Sequence, residues 1–224
     1  VKDPNFEIRD NAIFVREGYQ LDYEARTTQE LYVRVTDSAG ASIVKAVAIN
    51  IDDANDAPTD LHISNNSVAE NVEAGTIVGK LWADDEDRKD SHEYTLVDKN
   101  GDKIEDSNFE IRDNVIVVRD GHQLNYETSA TQELYVRVTD SAGASIIKAV
   151  EINIGDANDA PVDLQISGDR VSEDAEAGTV VGKLWAKDED RGDKHEYTLV
   201  DKKGNEVKDA NFEIHDNVIV VREG

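Results

Sequence analysis

Carboxylates recur along this chain at fixed places. Asp22 and Glu24 lie in Leu21-Asp22-Tyr23-Glu24, Asp53 and Asp56 flank Asn55, and Asp85 and Asp87 alternate around Glu86. Glu70 follows Val68-Ala69, and Asp140 follows Val138-Thr139. In an extended backbone alternate side chains point the same way, so Asp85 with Asp87, and Asp22 with Glu24, can each chelate. Hard oxygen donors, about six to eight per ion at roughly 2.3–2.6 Å, suit Ca²⁺ better than Mg²⁺, which demands a tighter octahedron. Zinc takes His or Cys. The chain has no Cys, and the one histidine that recurs in register, His92 with His195, reads as a packed or exposed strand residue rather than a ligand. An EF-hand is excluded, because Asp85-Glu86-Asp87 lacks the later Gly and Glu of that loop. A glycosidase-like pair of acids is disfavoured, since the same acids return in each repeat whereas a catalytic site is single and pocketed. The sequence therefore reads as that of a cation-binding protein and not an enzyme. Solvated turn acids would account for one such cluster, but not for five that repeat at strand ends.

The elements that position these acids repeat as a block. Asn5-Phe6-Glu7-Ile8 returns at Asn108 to Ile111 and at Asn211 to Ile214, Asp53 to Pro58 returns at Asp156 to Pro161, and Trp82 returns at Trp185. Every step is 103 residues, with no insertion. That is one small domain, so the chain is a string of domains rather than a solenoid of short units. The natural frame runs from one Ala-Pro to the next. Residues 1–56 are then the C-terminal half of one repeat, 57–159 a complete repeat, and 160–224 the N-terminal part of a third.

Within the complete repeat the pattern is β. Leu134, Val136 and Val138 alternate with Tyr135, Arg137 and Thr139, and Val150, Ile152 and Ile154 alternate with Ala149, Glu151 and Asn153. Period two with one apolar face predicts half-buried strands. Further strands are expected at Leu61–Ser64, Thr76–Ala83, His92–Val97, Phe109–Arg112 and Val115–Val118, separated by turn clusters such as Lys99-Asn100-Gly101-Asp102. About seven short strands in ~100 residues predict an all-β, seven-stranded Greek-key sandwich of the immunoglobulin-like kind, repeated in tandem.

The chain carries 24 Lys and Arg against 49 Asp and Glu, a formal net charge of −25. Such a surface repels nucleic acid and anionic lipid. No apolar run approaches the ~20 residues of a membrane span, so no direct membrane insertion by this segment is expected. A secreted chain without disulfides takes another staple, for which metal is the usual substitute.

As a set in fixed order, the acidic motifs resemble those of cadherin repeats, in the version common in large bacterial surface adhesins. The family pattern has an early Glu, Leu-Asp-Arg-Glu, Asp-x-Asn-Asp-Asn before Pro, Asp-x-Asp and Ala-x-Asp. Here these read Val68-Ala69-Glu70-Asn71, Leu21-Asp22-Tyr23-Glu24, Asp53-Ala54-Asn55-Asp56-Ala57-Pro58, Asp85-Glu86-Asp87 and Val138-Thr139-Asp140. The resemblance covers the whole chain and implies Ca²⁺ at domain junctions. It implies that the first junction draws on Asp22, Glu24, Asp53, Asn55 and Asp56, then on Asp85, Asp87 and Asp140, with the carbonyls of Ala54 and Ala57 as further donors. The second would use Glu70, Asn125, Glu127, Asp156, Asn158 and Asp159, then Asp188 and Asp190, with Ala157 and Ala160 as the matching carbonyl positions. Two departures stand out. Asn125 replaces the usual Asp, which removes a charge and implies a weaker ion there. Ala57 and Ala160 replace the usual Asn, where a carbonyl still coordinates.

The reading that follows is a calcium-stiffened structural segment of an extracellular or cell-surface adhesin, on a bacterial outer surface, serving cell adhesion or biofilm attachment. Its expected partners are neighbouring repeats of the same chain, a second copy in homophilic contact, or a surface glycan. The alternative is a carbohydrate-binding or accessory module of a secreted hydrolase or toxin. Arg191-Gly192-Asp193 spells an integrin-binding tripeptide, but a calcium-scaffold loop accounts for the Asp without a receptor. Trp82 and Trp185 are expected on the outer strand face, packed over Lys and Tyr stems. The two partial repeats are expected to leave open sheet edges, so that the tail of one molecule completes its sandwich with the head of the next.

Overall fold

A computed structural model describes residues 3–223; Val1, Lys2 and Gly224, which the repeat frame assigns to the two partial repeats, lie outside the described residues. The described residues form strands and turns without a helix. None of them forms a helix long and apolar enough to cross a membrane.

Before Pro58 the chain forms β1 (Phe6–Arg9), β2 (Ala12–Val15), β3 (Thr28–Thr36) and β4 (Ser42–Asn50). Each consecutive pair makes an antiparallel ribbon, with Phe6 opposite Val15 and Thr28 opposite Asn50. The next 103 residues form β5 (Asp60–Ile63), β6 (Ser67–Ala69), β7 (Ile77–Asp84), β8 (Glu93–Val97), β9 (Phe109–Arg112), β10 (Val115–Val118), β11 (Thr131–Thr139) and β12 (Ser145–Gly155). They make two four-stranded sheets, ordered β5-β7-β10-β9 and β6-β12-β11-β8. The chain thus changes sheet after each of β5, β6, β7 and β8 and again after β10, the Greek-key pattern of a sandwich. The last stretch forms β13 (Asp163–Ile166), β14 (Val180–Lys187), β15 (Phe212–His215) and β16 (Val218–Val221), in one sheet ordered β13-β14-β16-β15.

The core follows the alternation. On β11, Leu134, Val136 and Val138 are buried while Glu133 is exposed and Tyr135 and Arg137 are half-buried. Val78 and Leu81 of β7, Phe109 of β9, and Ile116 and Val118 of β10 are buried too. These inward-facing side chains supply the apolar burial that stabilises the sandwich.

The complete repeat has eight strand segments rather than seven, because its first strand breaks in two. β5 lies in one sheet and β6 in the other. The break at Asn65 passes over Gly79, where a Cβ would stand 2.0 Å from the Asn65 carbonyl oxygen and 2.7 Å from Ile63 Cγ1. Asn65 Nδ2 then donates to the Val78 carbonyl at 2.7 Å and to that of Ser67 at 2.8 Å, which satisfies backbone acceptors beside the break. Gly182 meets a similar close approach in the following repeat, with the Gly168 oxygen 2.3 Å from its absent Cβ.

The chain packs as two compact units. The first comprises the residues up to Ser67, Glu73–His122 and Glu133–Ile152. The second comprises Val68–Val72, Gln123–Gln132 and the chain from Asn153 onward.

Local geometry makes two of these features testable. Gly79→Ala should destabilise the chain by about 2–3 kcal/mol, because the new methyl meets backbone that cannot yield; Gly155→Ala, whose Cβ meets nothing nearer than 3.7 Å, should cost far less. Urea denaturation of both variants measures the difference. His92–Val97 and His195–Val200 have the same sequence, but only the first contains a strand, β8. Amide hydrogen exchange should therefore be slow at Glu93–Val97 and fast at Glu196–Val200.

Candidate metal centres

Each compact unit contains a cluster of acids. In the first unit the carboxylates come from the turn before β3, from the linker after β4, from the loop after β7 and from the end of β11. Carboxylate oxygens of Asp22, Glu24 and Glu86 lie within 4.8 Å of one another, as do those of Glu24, Asp53 and Asp87, and those of Asp85, Asp90 and Asp140. Hydrogen bonds set the frame. Asp140 Oδ1 accepts the N–H groups of Ala142, Gly143 and Ala144 at 2.9, 2.7 and 2.9 Å, and its Oδ2 accepts Asn55 Nδ2 at 2.9 Å. The Asn55 amide, then these N–H groups, hold the Asp140 carboxyl below its usual range. The Asp56 N–H donates to Asp87 Oδ2 at 2.8 Å, and Asp22 Oδ1 accepts the Ala25 N–H at 2.7 Å. Ala54 lines the same groove as Asp22 and Glu24.

The second unit repeats the design. Glu70, only 1% exposed, accepts the N–H of Tyr126 at 2.6 Å and that of Ala157 at 2.8 Å. Its carboxylate lies within 4.8 Å of those of Glu127 and Asp156, and Glu127 also groups with Asp159 and Glu189. The Asp159 N–H donates to Asp190 Oδ2 at 2.7 Å, matching the bond of Asp56 to Asp87. Asn125 Nδ2 donates to Glu189 Oε2 at 2.6 Å, and Asn158 Nδ2 to the Asp159 carbonyl at 2.7 Å. Asp188 Oδ1 accepts the Asp190 N–H at 3.1 Å, outside any three-acid group. Among the described residues no hydrogen bond ties Ala57 or Ala160 to either cluster.

Both clusters crowd like charges together. Glu24 is pushed up by loss of surrounding water, then by the charges of Asp53, Asp87 and Asp56. Asp156 is pushed up in the same way, by lost water and then by Asp190, Glu70 and Asp159. Asp90 Oδ2 and Glu127 Oε2 are buried without a hydrogen-bond partner. An oxygen-only donor set with unpartnered carboxylate atoms fits a hard divalent ion such as Ca²⁺.

The sequence matches no family model. Curated proteins do match it. Protocadherin Fat 2 of Mus musculus is 30% identical over 204 residues, covering 87% of this chain and 5% of that protein. Cadherin-7 of Gallus gallus is 28% identical over 214 residues, covering 88% of this chain and 27% of that protein. The chain thus spans a small fraction of the length of these relatives. The fold is shared with solved structures. Protocadherin Gamma B7 extracellular cadherin domains 1-4 superpose with a TM-score of 0.63 at 22% identity, over 100% of this chain and 57% of that one. Mouse Cadherin-23 EC22-24 superposes with a TM-score of 0.62 at 22% identity, over 98% and 72%. The chain is built of cadherin repeats.

Some local details add to, or differ from, the reading of the sequence of these cadherin repeats. Asp85 and Asp87 fall in different three-acid groups. The Asp87 N–H bonds back to Asp85 Oδ1 at 3.0 Å, so this loop curls and the alternation of an extended chain is lost. The same curl admits Glu86 to the group of Asp22 and Glu24, a residue that the spacing of Asp85 and Asp87 passes over. His92 stands one residue before β8 rather than within it, with Nε2 2.8 Å from Asp85 Oδ2. His195 holds Asp188 at the same distance and, as the largest influence, lowers its pKa. The seven-residue spacing from Asp85 to His92, repeated from Asp188 to His195, was the available signal. Trp82 is 45% exposed, and its ring partner is His62 across the β5-β7 pair, with centroids 5.3 Å apart, rather than Lys and Tyr stems.

Glu70 offers a test of the frame apart from any ion. Glu70→Ala leaves the Tyr126 and Ala157 N–H groups without their acceptor and should cost about 1–3 kcal/mol in EDTA. Glu70→Gln keeps an acceptor oxygen and should lose less. Denaturation midpoints of both variants in EDTA measure this, and equal losses would show that the hydrogen bonds contribute little.

Proposed function

We propose that this chain is a calcium-binding segment of an extracellular adhesion protein, in which Ca²⁺ held by the two acid clusters stiffens the backbone between successive repeats. The observation that carries the reading is the convergence of carboxylates from separate elements into three three-acid groups in the first unit and two in the second, with Asp90 Oδ2 and Glu127 Oε2 buried and unpartnered. Asp22, Glu24, Asp53, Asp56, Asp85, Asp87 and Asp140 would hold the ions of the first cluster, with Asn55 and the Ala54 and Ala57 carbonyls. Glu70, Glu127, Asp156, Asp159 and Asp190 would hold those of the second, with Asp188, Asn125 and Asn158. The ion supplies positive charge that offsets the repulsion among acids; the residues supply a frame already fixed by backbone hydrogen bonds. The repeat frame places domains at residues 1–56, 57–159 and 160–224, with the linkers Asp53–Pro58 and Asp156–Pro161 between them. The likeness to cadherins and protocadherins supports a role in adhesion at a cell surface, with neighbouring repeats and a second copy of the protein as the partners. Placement on a bacterial outer surface, in attachment or biofilm, rests on the motif resemblance.

Calcium should raise the melting temperature over that in EDTA. Binding to the native state alone stabilises by about 2.7 kcal/mol at a hundredfold excess over Kd, which for a chain of this size is a shift on the order of 5–10 °C. Protease cutting within Asp53–Pro58 and Asp156–Pro161 should slow in parallel. Identical melting and cutting in both media would remove the calcium reading.

A further inference from the structure

We propose that His62 is a proton-operated clasp on β5, the edge strand that opens the complete repeat: once protonated, it fastens β5 to β7 through Trp82 and Asp84. The inference does not rest on the calcium reading.

Register sets the geometry. In the β5-β7 pair His62 lies opposite Trp82, and Asp60 opposite Asp84. These four side chains share one face of the sheet, because alternate residues of a strand point the same way. The His62 and Trp82 rings stack with centroids 5.3 Å apart and planes 23° apart. His62 Nε2 stands 2.8 Å from Asp84 Oδ2, diagonally across the pair. Asp84 holds the start of the repeat in a second way, since its carbonyl accepts the Thr59 N–H at 2.8 Å. Asp60 is the other acid beside His62, but Lys148 Nζ lies 3.2 Å from its Oδ1, and that oxygen accepts the Leu61 N–H at 2.9 Å. Lys80 is the only other charged residue of β5 and β7.

An imidazolium gains on both sides of this arrangement. A cation within about 6 Å of an indole centroid is attracted by the ring face. A charged donor also makes a stronger bond to a carboxylate than a neutral one. The bond to Asp84, opposed by partial loss of water and helped by the charges of Asp84 and Asp60, holds the His62 pKa above its ordinary value of 6.5. A raised pKa in the folded chain means that the added stability is complete below the ordinary value and is lost as pH rises through the raised one. The His62 side chain is 36% exposed and that of Asp84 60%, so the pair exchanges protons with solvent and is screened by salt.

The following repeat has neither half of the clasp. Gln165 stands in place of His62 and Lys187 in place of Asp84, while Trp185 is kept in place of Trp82. Gln165 lies opposite Trp185 and donates Nε2 to Asp163 Oδ2 at 3.2 Å. The histidine and its acid change together while the tryptophan stays, so the chain carries its own non-titrating control.

NMR titration of the full chain from about pH 5 to about pH 9, in calcium and in EDTA, tests this together with denaturation midpoints over the same range. The His62 ring protons should titrate above the ordinary histidine value, and the Trp82 Nε1–H should shift with the same midpoint while that of Trp185 does not. Asp84→Asn should bring the His62 midpoint down to the ordinary value or below. His62→Gln, the residue of the following repeat, should lose stability against the parent at the acidic end and little at the alkaline end. A purely structural role would give the same loss at every pH. If His62 titrates at or below the ordinary value, if Trp82 ignores that titration, or if His62→Gln loses equally across the range, the inference is wrong; none of these results touches the calcium reading.

Discussion

The carboxylate of Glu70 joins three stretches of chain that are far apart in sequence. It sits just beyond β6, accepts an N–H from the turn before β11, and accepts another from the linker after β12. Its own N–H donates to the Gly155 carbonyl. Removing a carboxylate from water is costly, and it is tolerated only where charge-assisted hydrogen bonds replace the lost hydration. The second compact unit consists of these segments together with the repeat that follows. Asp140 has a comparable role in the first unit, where three N–H groups fix one oxygen and Asn55 meets the other. Fixed negative charge thus belongs to the folded frame itself.

A frame of this kind concentrates electrostatic repulsion. Acids that meet because their backbones are anchored cannot move apart, so Glu24 and Asp156 are driven toward protonation by lost water and by their neighbours. The histidines do not relieve this, because His92 and His195 turn to Asp85 and Asp188. They steer those acids and leave an all-oxygen donor set, which favours a hard ion over zinc. Asn125, at the position of Asp22 in the preceding repeat, donates its amide to Glu189 instead of adding a further acid.

Most of the fold could be read from alternation and turn chemistry. The expected strands at Phe109–Arg112 and Val115–Val118 coincide with β9 and β10, and those at Leu61–Ser64 and Thr76–Ala83 are displaced by one residue from β5 and β7. β6 escaped because three residues cannot display a period; it exists through its pairing with β12. In the clusters, the recurring acids were visible from their spacing. Glu86, Glu189 and Asp90 were not, because they reach the clusters only once the loop after β7, or its repeat after β14, curls and the rule for an extended chain ceases to hold.

The identical segments His92–Val97 and His195–Val200 separate what each level decides. By itself the sequence determined the β pattern, the 103-residue period and the order of the acidic motifs, because these depend on residue type and spacing. It could not decide whether that hexapeptide becomes a strand. In the complete repeat, Glu93–Val97 pair with Tyr135–Thr139 of β11, and Val97 is fully buried. In the following repeat Glu196–Leu199 form no strand, Val200 makes only a single bridge to Glu206, and Val200 is 52% exposed. A strand's hydrogen bonds are made to another strand rather than within itself, so its existence belongs to the partner as much as to its own residues. The convergence of Glu24, Asp53 and Asp87 has the same origin: each acid is set by its own segment, but their meeting is a property of the tertiary structure.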